Sequence, residues 1–212
     1  MIKLKDILTM DALKYTLKVP ADHKKFLNDY DDGMFEGFDI SQFHASPPIR
    51  NSSPLALREL RMLETIVSTI DINKADDITE YFKEYFKNAG LKYPEDEVSS
   101  LIKDSKGIIY KLKYHYNRPR PVQLADAMGL KFHDEPLETA KTPSYPSGHS
   151  AQGRLVGKYL ATMYPEHSEE IMKLADNIAT SRLVAKVHYP SDSAFGLKIG
   201  DAMFKYVIGR LR

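Results

Sequence analysis

The sequence predicts an all-α protein, a single-domain helical bundle, and three observations carry that prediction. Apolar residues recur mostly at spacings of three and four, short clusters of Pro, Ser, Asn and Gly separate the periodic stretches, and no stretch alternates apolar and polar residues as a half-buried strand would. The chain of 212 residues is long enough for one sizeable core and short for two ordinary domains. We read residues 1–212 as one domain, with 46–212 as a helical core and 1–45 as an N-terminal extension packed on it.

The periodicity places helices near 4–18, 54–70, 76–89, 95–117, 149–164, 167–187 and 193–210, with loops at 19–53 and 119–146. Pro47-Pro48 and Asn51-Ser52-Ser53-Pro54 stop the chain before the second helix, where Ser53 suits the N-cap and Pro54 the first helical position. Pro119 should end the fourth helix at about Asn117. Ser147 precedes the fifth, whose Leu155, Val156, Tyr159, Leu160 and Met163 keep helical spacing. The last helix is interrupted by Lys198, Asp201 and Lys205, and no run approaches the roughly 18 apolar residues that cross a bilayer, so no membrane span is expected. The 119–146 loop is longer than a compact helical domain needs and lies between the two stretches richest in chemistry, which marks it as functional.

Thirty Lys and Arg against 29 Asp and Glu leave a formal charge of +1, which argues against a general electrostatic grip on nucleic acid or anionic lipid. At 42% hydrophobic and 28% charged residues the composition is that of a folded protein. The absence of Cys excludes disulfides, iron–sulfur clusters, Cys-ligated zinc and a thiol nucleophile. Lys3, Lys5, Asp6 and Asp11 break the apolar stretch that a signal peptide needs, so a soluble protein in the cytoplasm is the expectation.

Three stretches carry chemistry. In the first, Lys111 to Pro121, the pairs Lys111/Arg118 and Lys113/Arg120 each share a helix face. With Ile108 at zero, Leu101, Ile102, Ile109, Leu112 and Tyr116 fall within an arc of about 20° to 120°, the buried face. Lys113 falls near 140° and Arg120 extrapolates to about 120°, whereas Lys111 and Arg118 come out near 300° and 280°. Lys113 and Arg120 are therefore the inward pair, and with no acidic residue on that arc a bound oxyanion would satisfy them. In the second, Ser144-Tyr-Pro-Ser-Gly-His149 enters a helix. Ser147 and Gly148 could be only an N-cap and a turn, but the unpaired N–H groups of a helix start also suit an anion, and His149 would sit beside it. In the third, His188 precedes Asp192 by four residues, so that Asp192 can hold one imidazole nitrogen and leave the other as a nucleophile. Arg182 offers a planar fork to two oxygens.

Together these stretches resemble the tripartite signature of the type 2 phosphatidic acid phosphatase superfamily: Lys113-x6-Arg120-Pro121, then Pro146-Ser147-Gly148-His149, then Ser181-Arg182-x5-His188-x3-Asp192. Within it, the missing membrane spans are similar to the class A bacterial non-specific acid phosphatases. The resemblance implies the all-helical fold of the acid phosphatases and vanadium-dependent haloperoxidases, with 46–212 as its catalytic core. It implies hydrolysis of phosphomonoesters, with diphosphates left open, through a phosphohistidine on His188, oriented by Asp192, with His149 as general acid and then base. Lys113, Arg120, Ser147, the Gly148 backbone and Arg182 would bind the phosphate. It implies no metal and no cofactor, with vanadate binding as a phosphate mimic, and a small-molecule phosphate ester as substrate. The 122–145 loop, with His133, Asp134, Glu135 and Glu138, is expected to read the leaving group; self-association into a homo-oligomer is left open.

Three rival readings stand beside this one. A vanadium-dependent haloperoxidase uses a similar pocket. His133-Asp134 with His115 is the sparse beginning of a metal-dependent His-Asp phosphohydrolase. A phosphate-binding protein without activity needs the cations but not a held nucleophile. His23, His44, His115 and His167 otherwise read as structural or solvent-exposed.

Overall fold

In the computed structural model, which describes residues 9–15, 23, 27–28, 30–31, 33–134 and 137–210, the regular elements are helical. They are α1 (Pro54–Thr65), α2 (Ile72–Asp76), α3 (Ile78–Asn88), α4 (Glu95–Tyr116), α5 (Pro121–Ala127), α6 (Gly148–Met163), α7 (Ser168–Val184) and α8 (Pro190–Arg210), with short 3₁₀ turns between them. The architecture is all-α, and no strand occurs among the described residues. Of the expected helix at 4–18, residues 9–12 are helical, 13–15 are not, and the rest lies outside the described residues.

Local chemistry explains where helices begin and end. Ser53 caps α1 by accepting from the Ala56 N–H, with Pro54 as first residue, as the sequence suggests. That helix ends at Thr65 rather than near 70, because Ile66, Val67, Thr69 and Ile70 are β-branched and Ile66 is already extended. Asp71 and Asp77 then cap α2 and α3, accepting from the N–H groups of Lys74 and Glu80. The 119–146 loop is not wholly irregular: α5 starts at Pro121 and buries Leu124 and Ala125, too short a helix to show a period.

α6 is the central element and packs chiefly on α7 and α8, then on α4. Close approach requires glycine on α8: a Cβ at Gly196 would lie 2.5 Å from the Ser147 carbonyl oxygen, and one at Gly200 2.5 Å from that of Ala151. Three apolar clusters surround this centre. One joins Phe35, Phe43, Leu101, Ile108, Leu112, Leu155, Phe195 and Ile199; a second sets Phe82 and Phe86 of α3 against Val156, Leu160 and Ile178; a third sets Leu60 and Leu63 of α1 against Leu124 and Tyr189.

Gly200→Ala is expected to destabilise the fold by about 1–3 kcal/mol although alanine favours a helix interior, because the obstructing atom is backbone and α6 and α8 must separate to admit the methyl group. Denaturant unfolding measures it.

Candidate active site

The three signature stretches are tied together through their backbones before any side chain is considered. The Ser144 N–H donates to the Arg118 carbonyl (3.0 Å), and the Ser147 N–H donates to the Asp192 carbonyl (3.0 Å). The Ser144 hydroxyl donates to the Pro119 carbonyl (3.0 Å), and Tyr145 stacks on Phe195 with ring centroids 4.5 Å apart. Residues far apart in the chain thus line one cavity of about 200 Å³, bounded by Lys106, Ile109, Lys113, Arg120, His149 and His188 among others.

Lys113 is buried in the last turn of α4, where its Nζ donates to the Pro143 carbonyl (2.5 Å). Asn117 then takes a left-handed conformation (φ 51°) and ends the helix. That break corrects one expectation. Arg118, placed on the opposite face by the helical angle, is 2% exposed and bonds Asp192 (2.5 Å), Ser191 (2.8 Å) and Glu59 (3.3 Å). Helical angles cease to apply past a left-handed residue. Arg120 is buried as expected, with Nε donating to the Thr142 carbonyl (2.8 Å) and Nη1 to the Val187 carbonyl (2.7 Å).

His188 is 2% exposed, between Asp192 and Arg120. Its Nδ1 lies 3.3 Å from Asp192 Oδ2 and its Nε2 3.0 Å from Arg120 Nη1. A guanidinium only donates, so Nε2 accepts and the ring proton is on Nδ1, held by Asp192. Burial foremost, then the Arg120 charge, push the His188 pKa well below its ordinary value, so the ring is neutral. Burial alone would raise the Asp192 pKa, but Arg118, His188 and the Tyr189 N–H outweigh it and keep the carboxyl well below the usual carboxylate range. Asp192 therefore orients His188 without taking its proton.

Burial and the neighbouring cations lower the Lys113 pKa and bring that of Arg120 down to about 10. The cluster is short of negative charge on its cavity side, which favours an entering oxyanion.

Ser147 is fully buried and caps α6, its hydroxyl accepting from the Ser150 N–H (3.3 Å) and the Ser150 hydroxyl (2.9 Å). Gly148 lines the cavity, and a Cβ there would meet Ile109 Cγ2 at 3.4 Å and Lys113 Cε at 3.9 Å, both ordinary contacts. Packing therefore does not demand the glycine, whereas close approach of a ligand to the backbone would. Arg182 is fully buried, with Nη1 bonded to Asp76, Nη2 to Thr139 (3.0 Å), and Nε without a partner. His149 Nε2 sits 3.0 Å from the Asp76 carbonyl oxygen and 3.2 Å from its Oδ1.

Sequence spacing does not single out Glu59, Asp76 or Arg118 as members of the site. Glu138 pairs with Lys141, His133 is exposed, Glu135 lies outside the described residues, and the loop residues that line the cavity are Thr139 and Thr142. Away from the cavity, His23 bonds Tyr114, His167 bonds Tyr85, and His44 stacks on His115. Among the described residues no three His, Cys, Asp or Glu side chains form a group that could hold a metal ion.

Residues 100–210, just over half of the chain, match the family model described as PAP2 superfamily. The chain belongs to the PAP2 superfamily. All three signature stretches fall inside the matched region. Curated relatives include a non-specific acid phosphatase of Salmonella typhimurium, 33% identical over 92 residues that cover 43% of this chain and 36% of that protein. Another is an acid phosphatase of Zymomonas mobilis, 34% identical over 95 residues, 42% of this chain and 33% of that protein. The chain thus spans about a third of the length of these relatives. A crystal structure titled as the first bacterial vanadium-dependent iodoperoxidase shares the fold, with a TM-score of 0.63 at 17% identity, covering 95% of this chain and 62% of that one. No helix among the described residues is long and apolar enough to cross a membrane.

Proposed function

We propose that this PAP2 member hydrolyses phosphomonoesters of small molecules through a phosphohistidine on His188, without a metal ion. The observation that carries the reading is the His188 ring, neutral, with its proton fixed on Nδ1 by Asp192 and the Nε2 lone pair directed at a buried cation beside the cavity. A binding protein needs the cations but not a nucleophile held in one tautomer.

The phosphate of the substrate enters among Lys113, Arg120, the Gly148 N–H and Arg182, with Ser147 fixing the loop. His188 Nε2 attacks phosphorus as the bond to the leaving oxygen breaks, and His149 in its protonated form gives that oxygen a proton. Neutral His149 then takes a proton from water, whose oxygen attacks phosphorus, breaks the P–N bond and releases inorganic phosphate. Phosphoryl transfer asks mainly for positioning and charge stabilisation, which the cations supply.

Vanadate is a tetrahedral oxyanion like phosphate, and the donor set of Lys113, Arg120, Arg182 with its unpaired Nε, and His188 fits it. In a phosphatase it acts as a competing mimic. In the haloperoxidase reading, supported by the iodoperoxidase named above, the same residues would hold it to activate peroxide toward halide.

The test is p-nitrophenyl phosphate hydrolysis in chelator, with and without orthovanadate, across pH 4 to 9 (a range of about five units around the ordinary His value). Turnover is expected to persist in chelator and to be blocked by orthovanadate. Burial, then the Arg182 charge, lower the His149 pKa against the opposing pull of Asp76. His149 must be protonated for the first step, so kcat/KM is expected to fall as pH rises through a midpoint below 6.5. A flat profile to pH 9 would remove His149 from the mechanism. Activity lost in chelator and restored by a divalent ion would favour the metal-dependent reading, and dye bromination by peroxide after vanadate loading, without phosphatase turnover, the haloperoxidase one.

A further inference from the structure

Asp76 lies outside all three signature stretches and outside the family-matched region, yet its carboxylate meets both His149, which lines the cavity, and Arg182. We propose that Asp76 is the positioning residue of His149, fixing its Nε2–H so that Nδ1 takes up and delivers the proton, while its negative charge is shared between the imidazolium and Arg182. This inference rests on the phosphatase reading for its catalytic meaning, but its geometry is independent of it.

Two oxygens of one residue meet one ring nitrogen: His149 Nε2 is 3.0 Å from the Asp76 carbonyl oxygen and 3.2 Å from Asp76 Oδ1. A carbonyl oxygen only accepts, so Nε2 carries its proton in both charge states and Nδ1 is the atom that titrates. His188 is held the other way round, by Nδ1 on Asp192, which leaves Nε2 for attack. Each histidine therefore has its own carboxylate, on opposite ring nitrogens, and each presents its remaining nitrogen for a different task.

Asp76 is fixed in place. It ends α2, between the cap at Asp71 and the cap at Asp77, with Ala75 buried beneath it. The Thr139 hydroxyl donates to Asp76 Oδ1 (2.8 Å) and accepts from Arg182 Nη2 (3.0 Å), so the loop that overlies the cavity closes the arrangement. The charged and titratable groups facing His149 are Asp76 from α2, Arg182 from α7, and, across the cavity, Lys106 and Lys113 from α4 with Arg120 and His188. Among these Asp76 alone is negative. Removing its charge leaves the imidazolium opposed by cations only. It also releases Arg182, whose Nη1 it occupies, to an incoming oxyanion.

Loss of this charge therefore acts in opposite directions on proton transfer and on anion binding, a pattern that loss of mere packing would not give. In Asp76→Asn, which keeps the shape, the backbone carbonyl and one side-chain acceptor oxygen but not the charge, the His149 midpoint is expected to fall by about one pH unit. Inorganic phosphate is expected to bind several-fold more tightly, and kcat near pH 6.5 to fall about tenfold, since one pH unit is a factor of ten in the protonated fraction. Asp76→Glu, which returns the charge, restores the midpoint.

The experiment is an NMR titration of ¹⁵N-histidine-labelled protein, with His149 assigned by its loss in His149→Gln, together with calorimetric binding of inorganic phosphate. Both need no turnover. Neutral His149 of the unaltered protein is expected as the Nε2–H tautomer, and finding the Nδ1–H tautomer overturns the proposal even if neither variant folds. An unmoved midpoint in folded Asp76→Asn, or phosphate bound no more tightly, also overturns it. A midpoint that falls as expected in a protein with no phosphatase turnover upholds the role of Asp76 while the phosphatase reading fails.

Discussion

His188→Ala is expected to reduce turnover of p-nitrophenyl phosphate by at least about 10⁴-fold while the protein still binds orthovanadate and unfolds at nearly the same denaturant concentration. In the proposed mechanism the nucleophile has no substitute nearby, since the other imidazole that lines the cavity among the described residues, His149, has Nε2 directed at Asp76 and is assigned the proton transfer. The proposed phosphate cradle is expected to survive, because Lys113 and Arg120 are held by carbonyl oxygens of Pro143, Thr142 and Val187, and Arg182 by Asp76 and Thr139, rather than by His188 alone. Steady-state kinetics and a vanadate titration read the two halves separately. Unchanged turnover would mean that no phosphohistidine forms on this residue.

Arg118→Ala should cost about 3–5 kcal/mol of stability at neutral pH, the largest loss expected of any single change here. Its guanidinium lies over the Tyr189 ring, 3.8 Å from the centroid, and pairs with both Asp192 and Glu59, so its removal leaves buried carboxylates without a counterion. The effect has a definite pH dependence. The folded pKa of Asp192 is depressed below 3.8, so its pairing contributes stability that is present above that value and lost as pH falls through the folded one. In the variant the charged form loses its partner, the folded pKa rises, and the difference between the two proteins shrinks on acidification. Urea unfolding at neutral and acidic pH measures both, and equal losses at the two would show that Arg118 acts by packing alone. Turnover should fall too, because Asp192 no longer sits in a fixed place for His188.

How much of this was legible in the sequence depends on how local the signal is. The signature residues are read from spacing, and Ser53, Pro54 and Ser147 announce their helix starts because a cap acts within three residues. The inward face of α4 follows from its period, and Lys113 is where that period puts it. Past Asn117 the helical angle no longer applies. It mislays Arg118, and although Arg120 is buried as expected, the left-handed turn means that the extrapolated angle is not the reason. Helices α2 and α5 are too short for a period to develop. Glu59 and Asp76 could not be found at all, since nothing local to either marks it as the partner of an arginine, Arg118 in one case and Arg182 in the other, that lies far along the chain.

The placement of those two carboxylates has a consequence for where this protein can be divided. The cations and histidines belong to the segment shared with the family, while two of the acids that balance them, Glu59 and Asp76, come from helices upstream of it, as do Phe82 and Phe86 and the α1 leucines that cover its flanks. Cut out by itself, the shared segment would keep every signature residue and lose both electrical neutrality at Arg182 and a roof for its apolar surface. The unit that can be recognised by its motif is thus smaller than the unit that can stand alone, and a shortened version meant to preserve the chemistry must begin before Ser53.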